Sequence, residues 1–375
     1  MKFIVENEAF AKALSQVKGC IPPRSTIPIL AHVAVEAKAG NVVTVRATNL
    51  EREAEIDLPA EVAAAGGAAL PGEILVNLAK RLPKGGQTEI ALDGERVKIG
   101  AGQSKYDLRT LPLADFPTAK AIGDTKVEFA IGVDALRQLI QRTNYALAVK
   151  GIKPYHDGIY LHAQGQRLLA VASDDHRLAL HAVDLPKGAA SMPGVVVPSE
   201  AARQIAGFLD ETQADVVLSV SPSILEVRIG GLRFATALID CTFPPYERVI
   251  PKPNGVAATF RPYALAEAVS RAIVVYLGEM DINRKSPVIK VDTKNGAINL
   301  EAGIRGNEQA AEVVEAETNG RDLSFVVHAG YLADMLGVWP DTAALGMQQK
   351  DPSSPILFMV DGQPNDIHLI MPTRR

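Results

Sequence analysis

Three stretches far apart in the chain close in the same way. LPLADFPT, IDCTFPPY and HLIMPTRR each run out of an apolar, β-type segment into a proline, at Pro117, Pro244 and Pro372. Subtracting those positions gives intervals of 127 and 128 residues. A second landmark keeps the same step. LPGEILVNLAK from Leu70, VPSEAARQIAG from Val197 and VHAGYLADMLG from Val327 are each a strand end running into an amphipathic helix, 127 and 130 residues apart. Two landmarks recurring in one order at near-constant spacing mean one folding unit used three times.

The units also open alike. AFAKALSQVKG, DALRQLIQRTNYA and PYALAEAVSRAIV place apolar residues at i, i+3, i+4 and i+7, the pattern of a helix with one buried face. Alternating segments follow, such as VTVRAT (43–48), GIYLHA (158–163) and VIKVDT (288–293). ILEVRIG, a glycine pair at 230–231 and LRFATALI form a hairpin signal. Each unit thus reads as helix, strands, helix, strands. The expected fold class is α+β: three similar domains, each of two helices plus antiparallel sheets, over 1–118, 127–246 and 255–375. Pro, Gly and charge gather in the linkers, near 117–126 and 244–255.

Aromatic residues make up only 5% of the 375, so the cores must rest on Val, Leu, Ile and Ala. No apolar run approaches the roughly 18–20 residues of a membrane span. MKFIVENEAF has no apolar signal-peptide core, and Cys20 and Cys241 have no metal-ligand spacing; a cytoplasmic protein with reduced thiols is the expectation. A net charge of −4 argues against a surface drawn to nucleic acid as a whole but leaves room for local basic patches. LPKGGQT (82–88) lacks P-loop spacing and GGAALPG lacks the dinucleotide fingerprint. The seven histidines form no HExxH, and GxSxG is absent, so neither cofactor nor metal is expected.

ASDDHRLAL (172–180) alone looks catalytic, with Asp174, Asp175, His176 and Arg177 in succession. A reaction centre would need a second carboxylate cluster or metal ligands elsewhere, and none has recognisable spacing. The local reading is a strand ending at VAS, an aspartate turn and a new strand. ATNLERE (47–53) occupies the matching place in the first unit, with Asn49 and Glu51 near the positions of Asp174 and His176. A structural turn, a binding site and a catalytic site all stay open on the residues alone. Two loops suit nucleic acid by their basic residues and tyrosine: PPRST with Arg24, and VKGIKPYHDG with Lys150, Lys153 and Tyr155.

Taken together, MKFIVENEAFAKALSQV, TIPILAHV, TNLE, SKYDLRTLPLADFP, ASDDHRLA, FPPYERVIP and the terminal MPTR resemble the bacterial DNA polymerase III β subunit family, the β sliding clamps, in order through all three units. The resemblance implies a subunit without catalysis of its own that dimerises head to tail into a closed six-domain ring around double-stranded DNA. Twelve helices would line such a ring, which holds DNA by topology and needs no base-reading motif. It implies as partners a clamp loader, the DNA polymerase III catalytic subunit, and other polymerases and repair proteins that dock short peptides.

Residue by residue, the resemblance places DNA contacts at Arg24, Lys150, Lys153 and Tyr155. It places a dimer interface at Tyr106 and Leu108 on an edge strand, facing a helix with Val274 and Val275. The partner-peptide pocket falls on Ser173, His176, Arg177, Leu178, Pro244, Arg248, Val249, Tyr331, Ser354, Leu369, Ile370, Met371, Pro372 and Arg374. An apolar site with a few polar anchors suits an extended peptide bearing Leu or Phe. There are departures from the family pattern. His156 stands where leucine is frequent, and Asp175 where glycine is common. The segment 277–287 is a few residues longer, and within it Arg284 falls where a hydrophobic pocket-flanking residue can lie.

Overall fold

The computed structural model describes every residue except 119–120, 124–125, 149–151, 211–214, 253, 280–286, 304–307, 361–365 and 374–375. Among the described residues there are six α-helices, two per repeat. These are α1 (Asn7–Val17), α2 (Gly72–Ala79), α3 (Val133–Asn144), α4 (Ser199–Leu209), α5 (Pro262–Ala272) and α6 (Ala329–Leu336). The second helix of each pair follows directly on a strand, Gly66–Pro71, Val195–Pro198 or Leu323–His328, as the recurring strand-to-helix phrases predict. In α1 the buried face is Phe10, Ala13, Leu14 and Val17. Asn7 fixes its start: its amide donates to Pro83 O at 2.8 Å, and its carbonyl accepts from the buried Thr88 hydroxyl at 2.6 Å. Pro262 opens α5 at the first-turn position where its missing N–H costs nothing.

The helix over PYALAEAVSRAIV ends earlier than its sequence pattern predicts. α5 stops at Ala272 and the chain continues as a 3₁₀ helix, Ile273–Glu279, carrying Val274 and Val275. The run Ile273, Val274, Val275 is β-branched throughout, and such side chains crowd the preceding helical turn.

The strands pair antiparallel throughout. They fall into two compact units: Met1–Val133 with Pro186–Pro193 and Arg203–Leu238, and Asp134–Leu185 with Gly194–Ala202 and Ile239–Arg375. The second repeat is divided between them, a division that the threefold sequence period does not announce. In the first unit, Arg52–Pro59 of repeat one pairs with Leu232–Ala237 of repeat two and makes one nine-stranded sheet. A five-stranded sheet accompanies it, ordered Glu61–Ala64, Lys2–Glu6, Gln87–Asp93, Arg96–Ala101, Ser104–Arg109. In the second unit, Arg177–Asp184 of repeat two pairs with Asp366–Ile370 of repeat three inside another nine-stranded sheet. A four-stranded sheet, ordered Gln309–Glu315, Ala297–Gly303, Val288–Lys294, Leu323–His328, completes that unit.

The first of these ladders carries a polar lock. Glu53, 1% exposed, meets Arg233 of the facing strand at 2.8 Å and Arg46 at 3.3 Å, while Arg233 also reaches Glu226 at 2.9 Å. A buried carboxylate persists only when it is paired. Replacing Glu53 with glutamine removes the buried charge that the two arginines share, leaving Arg233 to Glu226 and Arg46 to Glu55, and we expect a loss of about 2 kcal/mol in unfolding free energy. A urea titration read against wild type checks this.

Candidate partner-docking site

The stretch 173–177 is a hairpin turn, and its hydrogen bonds explain each residue. Asp174 Oδ1 accepts from the backbone N–H groups of His176 and Arg177, both at 2.9 Å. Ser173 Oγ donates to Arg177 O at 2.9 Å and accepts from the Asp175 N–H at 3.3 Å. The first repeat builds the same turn from different residues. Asn49 Oδ1 accepts from Glu51 and Arg52 N–H at 3.1 and 2.6 Å, and Thr48 Oγ donates to Arg52 O at 2.9 Å. The third turn residue is left-handed in both, with φ +74° at Leu50 and +69° at Asp175. An amide serves where the second repeat has a carboxylate, so the turn needs an acceptor and not a titrating acid.

Arg177 begins the next strand and is enclosed by four neighbours. Its Nε donates to Asp174 Oδ2 at 3.0 Å and its Nη1 to Asp334 Oδ2 of α6 at 2.7 Å. The guanidinium lies over the Tyr331 ring, 4.4 Å from its centroid, with the Tyr145 ring 5.6 Å away. Tyr331 is sandwiched further by His176, stacked at 6.0 Å, and by His328, stacked at 4.3 Å. His328 caps α6 by accepting from the Tyr331 N–H at 3.3 Å, which requires an unprotonated Nδ1. Burial and then the nearby Arg177 charge hold the His328 imidazole below its usual range, in keeping with that role. Burial pushes the Tyr331 phenol up.

The apolar part of the site comes from strand register. Leu178 faces Leu369 across the ladder that joins repeats two and three, and Arg177 faces Ile370. Leu178 and Leu369 share a core cluster with Phe243 and Tyr246. Tyr246 anchors the 3₁₀ turn Tyr246–Val249, which leaves Arg248 and Val249 outside, Val249 55% exposed, just past the half-buried Pro244. The C-terminal segment is tied in by backbone: the Met371 N–H donates to His176 O at 2.8 Å and the Thr373 N–H to Val326 O at 2.7 Å. Met371 is exposed and Pro372 half-buried.

Other expected residues have different surroundings. The Ser354 hydroxyl donates to Asp351 Oδ2 at 2.6 Å within a local turn, and with Ser353 it holds the Asp351 carboxyl down at about 2. Lys153 donates to Asp175 Oδ2 at 2.6 Å, and Tyr155 packs edge-on against Phe243, 5.6 Å between centroids. Arg24 is exposed on its loop. Tyr106 and Leu108 lie on the edge strand Ser104–Arg109, with Tyr106 exposed. Val274 is 57% exposed and Val275 packs on the third repeat's core. Lys150, Arg284 and Arg374 fall outside the described residues.

Sequence reasoning missed Tyr145, His328 and Asp334, which hold Arg177 and Tyr331, because nothing in their spacing links them to position 177. It also missed Lys84, which joins Lys12 and Lys80 around an open depression of about 630 Å³ beside α1 and α2. Glu8 in that depression is engaged by the Gly85 N–H at 3.2 Å. Burial raises the Cys20 thiol to about 11, which leaves it unreactive beside Gln204.

The fold defines a class first: a three-repeat α+β protein whose sheets run from one repeat into the next. Family models cover it nearly end to end. They are the DNA polymerase III beta subunit's N-terminal domain over residues 1–120, its central domain over 130–245 and its C-terminal domain over 247–374. The chain belongs to the DNA polymerase III beta subunit family. Among relatives, the beta sliding clamp of Caulobacter vibrioides is 31% identical over 391 residues and that of Pseudomonas aeruginosa 30% identical over 375, both over the full length of each chain. Among solved structures, the DNA polymerase sliding clamp of Caulobacter crescentus superposes with a TM-score of 0.89 at 30% identity. The Pseudomonas aeruginosa clamp bound to griselimycin superposes with a TM-score of 0.92 at 29% identity, again over all of both chains.

If the aspartate at 174 is a turn acceptor, Asp174→Asn, which copies the first repeat, should cost about 1 kcal/mol. Asp174→Ala, which strands two backbone donors and Arg177 Nε, should cost about 3 kcal/mol. Denaturant titrations of the two variants separate these outcomes.

Proposed function

We propose that this chain is a DNA polymerase sliding clamp: a processivity factor, without catalysis of its own, that encircles double-stranded DNA and tethers DNA-processing proteins to it. The observation that carries the proposal is the threefold repeat of one two-helix unit, matched through all three parts by the clamp family. The repeats are assigned as domains over 1–118, 127–246 and 255–375. Two copies joined head to tail give the six-domain ring. The joining edge is the strand with Tyr106 and Leu108, and its counterpart is the Ile273–Glu279 segment with Val274 and Val275. An exposed strand edge and the exposed Val274 are liabilities in a lone subunit, and pairing removes both.

DNA contact is assigned to Arg24, Lys150, Lys153 and Tyr155, supported by the lysines about the α1–α2 depression. Sequence-independent binding needs only such phosphate contacts, and a chain of net charge −4 would slide along DNA rather than grip it. No helix among the described residues is long and apolar enough to cross a membrane, and a cytoplasmic location is assigned. The partner-peptide pocket is assigned to Ser173, His176, Arg177, Leu178, Pro244, Arg248, Val249, Tyr331, Ser354, Leu369, Ile370, Met371, Pro372 and Arg374. Its apolar floor at Leu178 and Leu369, its rigid cation–ring stack and the adaptable Met371 suit an extended peptide with an apolar anchor. Peptides of this kind come from the polymerase catalytic subunit, the clamp loader, and other polymerases and repair proteins.

Sedimentation tests the assembly. Wild type should run near twice 40.0 kDa, and Leu108→Glu, which charges the edge strand, should run as a folded monomer and lose stimulation of polymerase run length on a primed circle. A monomeric wild type, or a Leu108→Glu dimer, contradicts the interface. Removing Met371 and all that follows should abolish peptide binding in a titration while leaving the dimer intact.

A further inference from the structure

The second repeat keeps an aspartate where its turn geometry favours glycine. Asp175 sits at φ +69°, a region that glycine enters freely and other residues enter at a cost. A residue held there prompts the question of what its side chain does. The carboxylate leaves the hairpin and reaches the Pro154–Asp157 turn and the residue before it. Oδ2 accepts from Lys153 Nζ at 2.6 Å, and Oδ1 lies 3.2 Å from His156 Nε2. His156 is 5% exposed, and although its Nε2 points at this carboxylate it has no hydrogen-bond partner of acceptable geometry. Lys153 and Asp175 are each about half exposed, so their pairing is screened by water and easily exchanged.

The neighbouring acids are committed elsewhere. Asp174 is taken by two backbone N–H groups and Arg177 Nε, and Asp334 by Arg177 Nη1. Asp175 alone of these three reaches the loop, through Lys153 and His156, and it immediately precedes His176 of the assigned pocket.

We propose that Asp175 and His156 form a subsite for an arginine side chain carried by the partner peptide beside its apolar anchor, with Lys153 occupying the carboxylate until that arginine arrives. The subsite rests on the pocket reading above and specifies the peptide chemistry that the pocket takes. A guanidinium offers parallel N–H donors that match the two oxygens of the Asp175 carboxylate, which His156 Nε2 flanks at 3.2 Å. The lysine ammonium is a compact point charge that serves the carboxylate alone. Exchanging Lys153 for the peptide arginine replaces a single-point ion pair with a two-point one. Peptides without the arginine bind with the Lys153–Asp175 pair undisturbed, so the subsite sets preference among partners.

The test is an anisotropy titration of the full chain with three labelled peptides sharing one Leu/Phe anchor: arginine before it, arginine after it, or glutamine at both places. Wild type should bind one arginine peptide about five- to tenfold more tightly than the glutamine peptide. Asp175→Gly, which relaxes the backbone, should bring that peptide down to the affinity of the glutamine peptide, and Lys153→Gln should widen the preference. Equal binding of all three by wild type, or a preference that survives Asp175→Gly, overturns the subsite. If no peptide binds wild type, the pocket reading falls and the subsite with it.

Discussion

Two backbone ladders turn three similar sequences into one protein. Strand Arg52–Pro59 of the first repeat pairs with Leu232–Ala237 of the second, and Arg177–Asp184 of the second with Asp366–Ile370 of the third. Each ladder satisfies a strand edge that would otherwise offer unpaired N–H and C=O groups to another chain. The two pairings also divide the labour of the middle repeat. Its strands Val127–Ile131, Val216–Val220, Ile224–Ile229 and Leu232–Ala237 extend one sheet, while Gly158–Gln164, Arg167–Ser173, Arg177–Asp184 and Val195–Pro198 extend the other.

The proposed docking site is a product of the second ladder. Register places Leu178 opposite Leu369 and Arg177 opposite Ile370, which brings together residues almost two hundred positions apart in the chain. The hairpin turn at 173–177 fixes where that strand starts, and Met371 is bound to the turn through His176 O. Arg177 is then held by Asp174 from its own turn, Asp334 from α6 and the face of Tyr331. A guanidinium with two carboxylates and an aromatic face has little freedom left, which suits a rigid wall for a ligand and not a group that must shuttle protons.

Much of this was legible in the sequence because turns and strand-to-helix junctions constrain residue type. The prolines closing each repeat, the landmarks at Leu70, Val197 and Val327, and the Asn49/Asp174 correspondence all reflect backbone geometry that recurs with the fold. Helix ends were less legible: the pattern over PYALAEAVSRAIV continues through Val274, yet β-branched crowding stops α5 at Ala272. Tertiary partners were not legible at all. Nothing in a linear pattern pairs Arg177 with Asp334 or Lys153 with Asp175, and nothing says which strand edge of one repeat meets which edge of the next. Those choices depend on side-chain reach and on which edges are left open once each repeat has formed.

The central claim is that two of these three-repeat chains close around DNA and hold it by topology. Loading the protein onto a nicked circular duplex with its clamp loader and ATP, isolating the complex, and then cutting the circle tests that claim most directly. The account predicts retention on the intact circle and loss of the protein from the ends once the DNA is linear. Retention that survives linearisation would mean ordinary affinity for DNA and would contradict the ring.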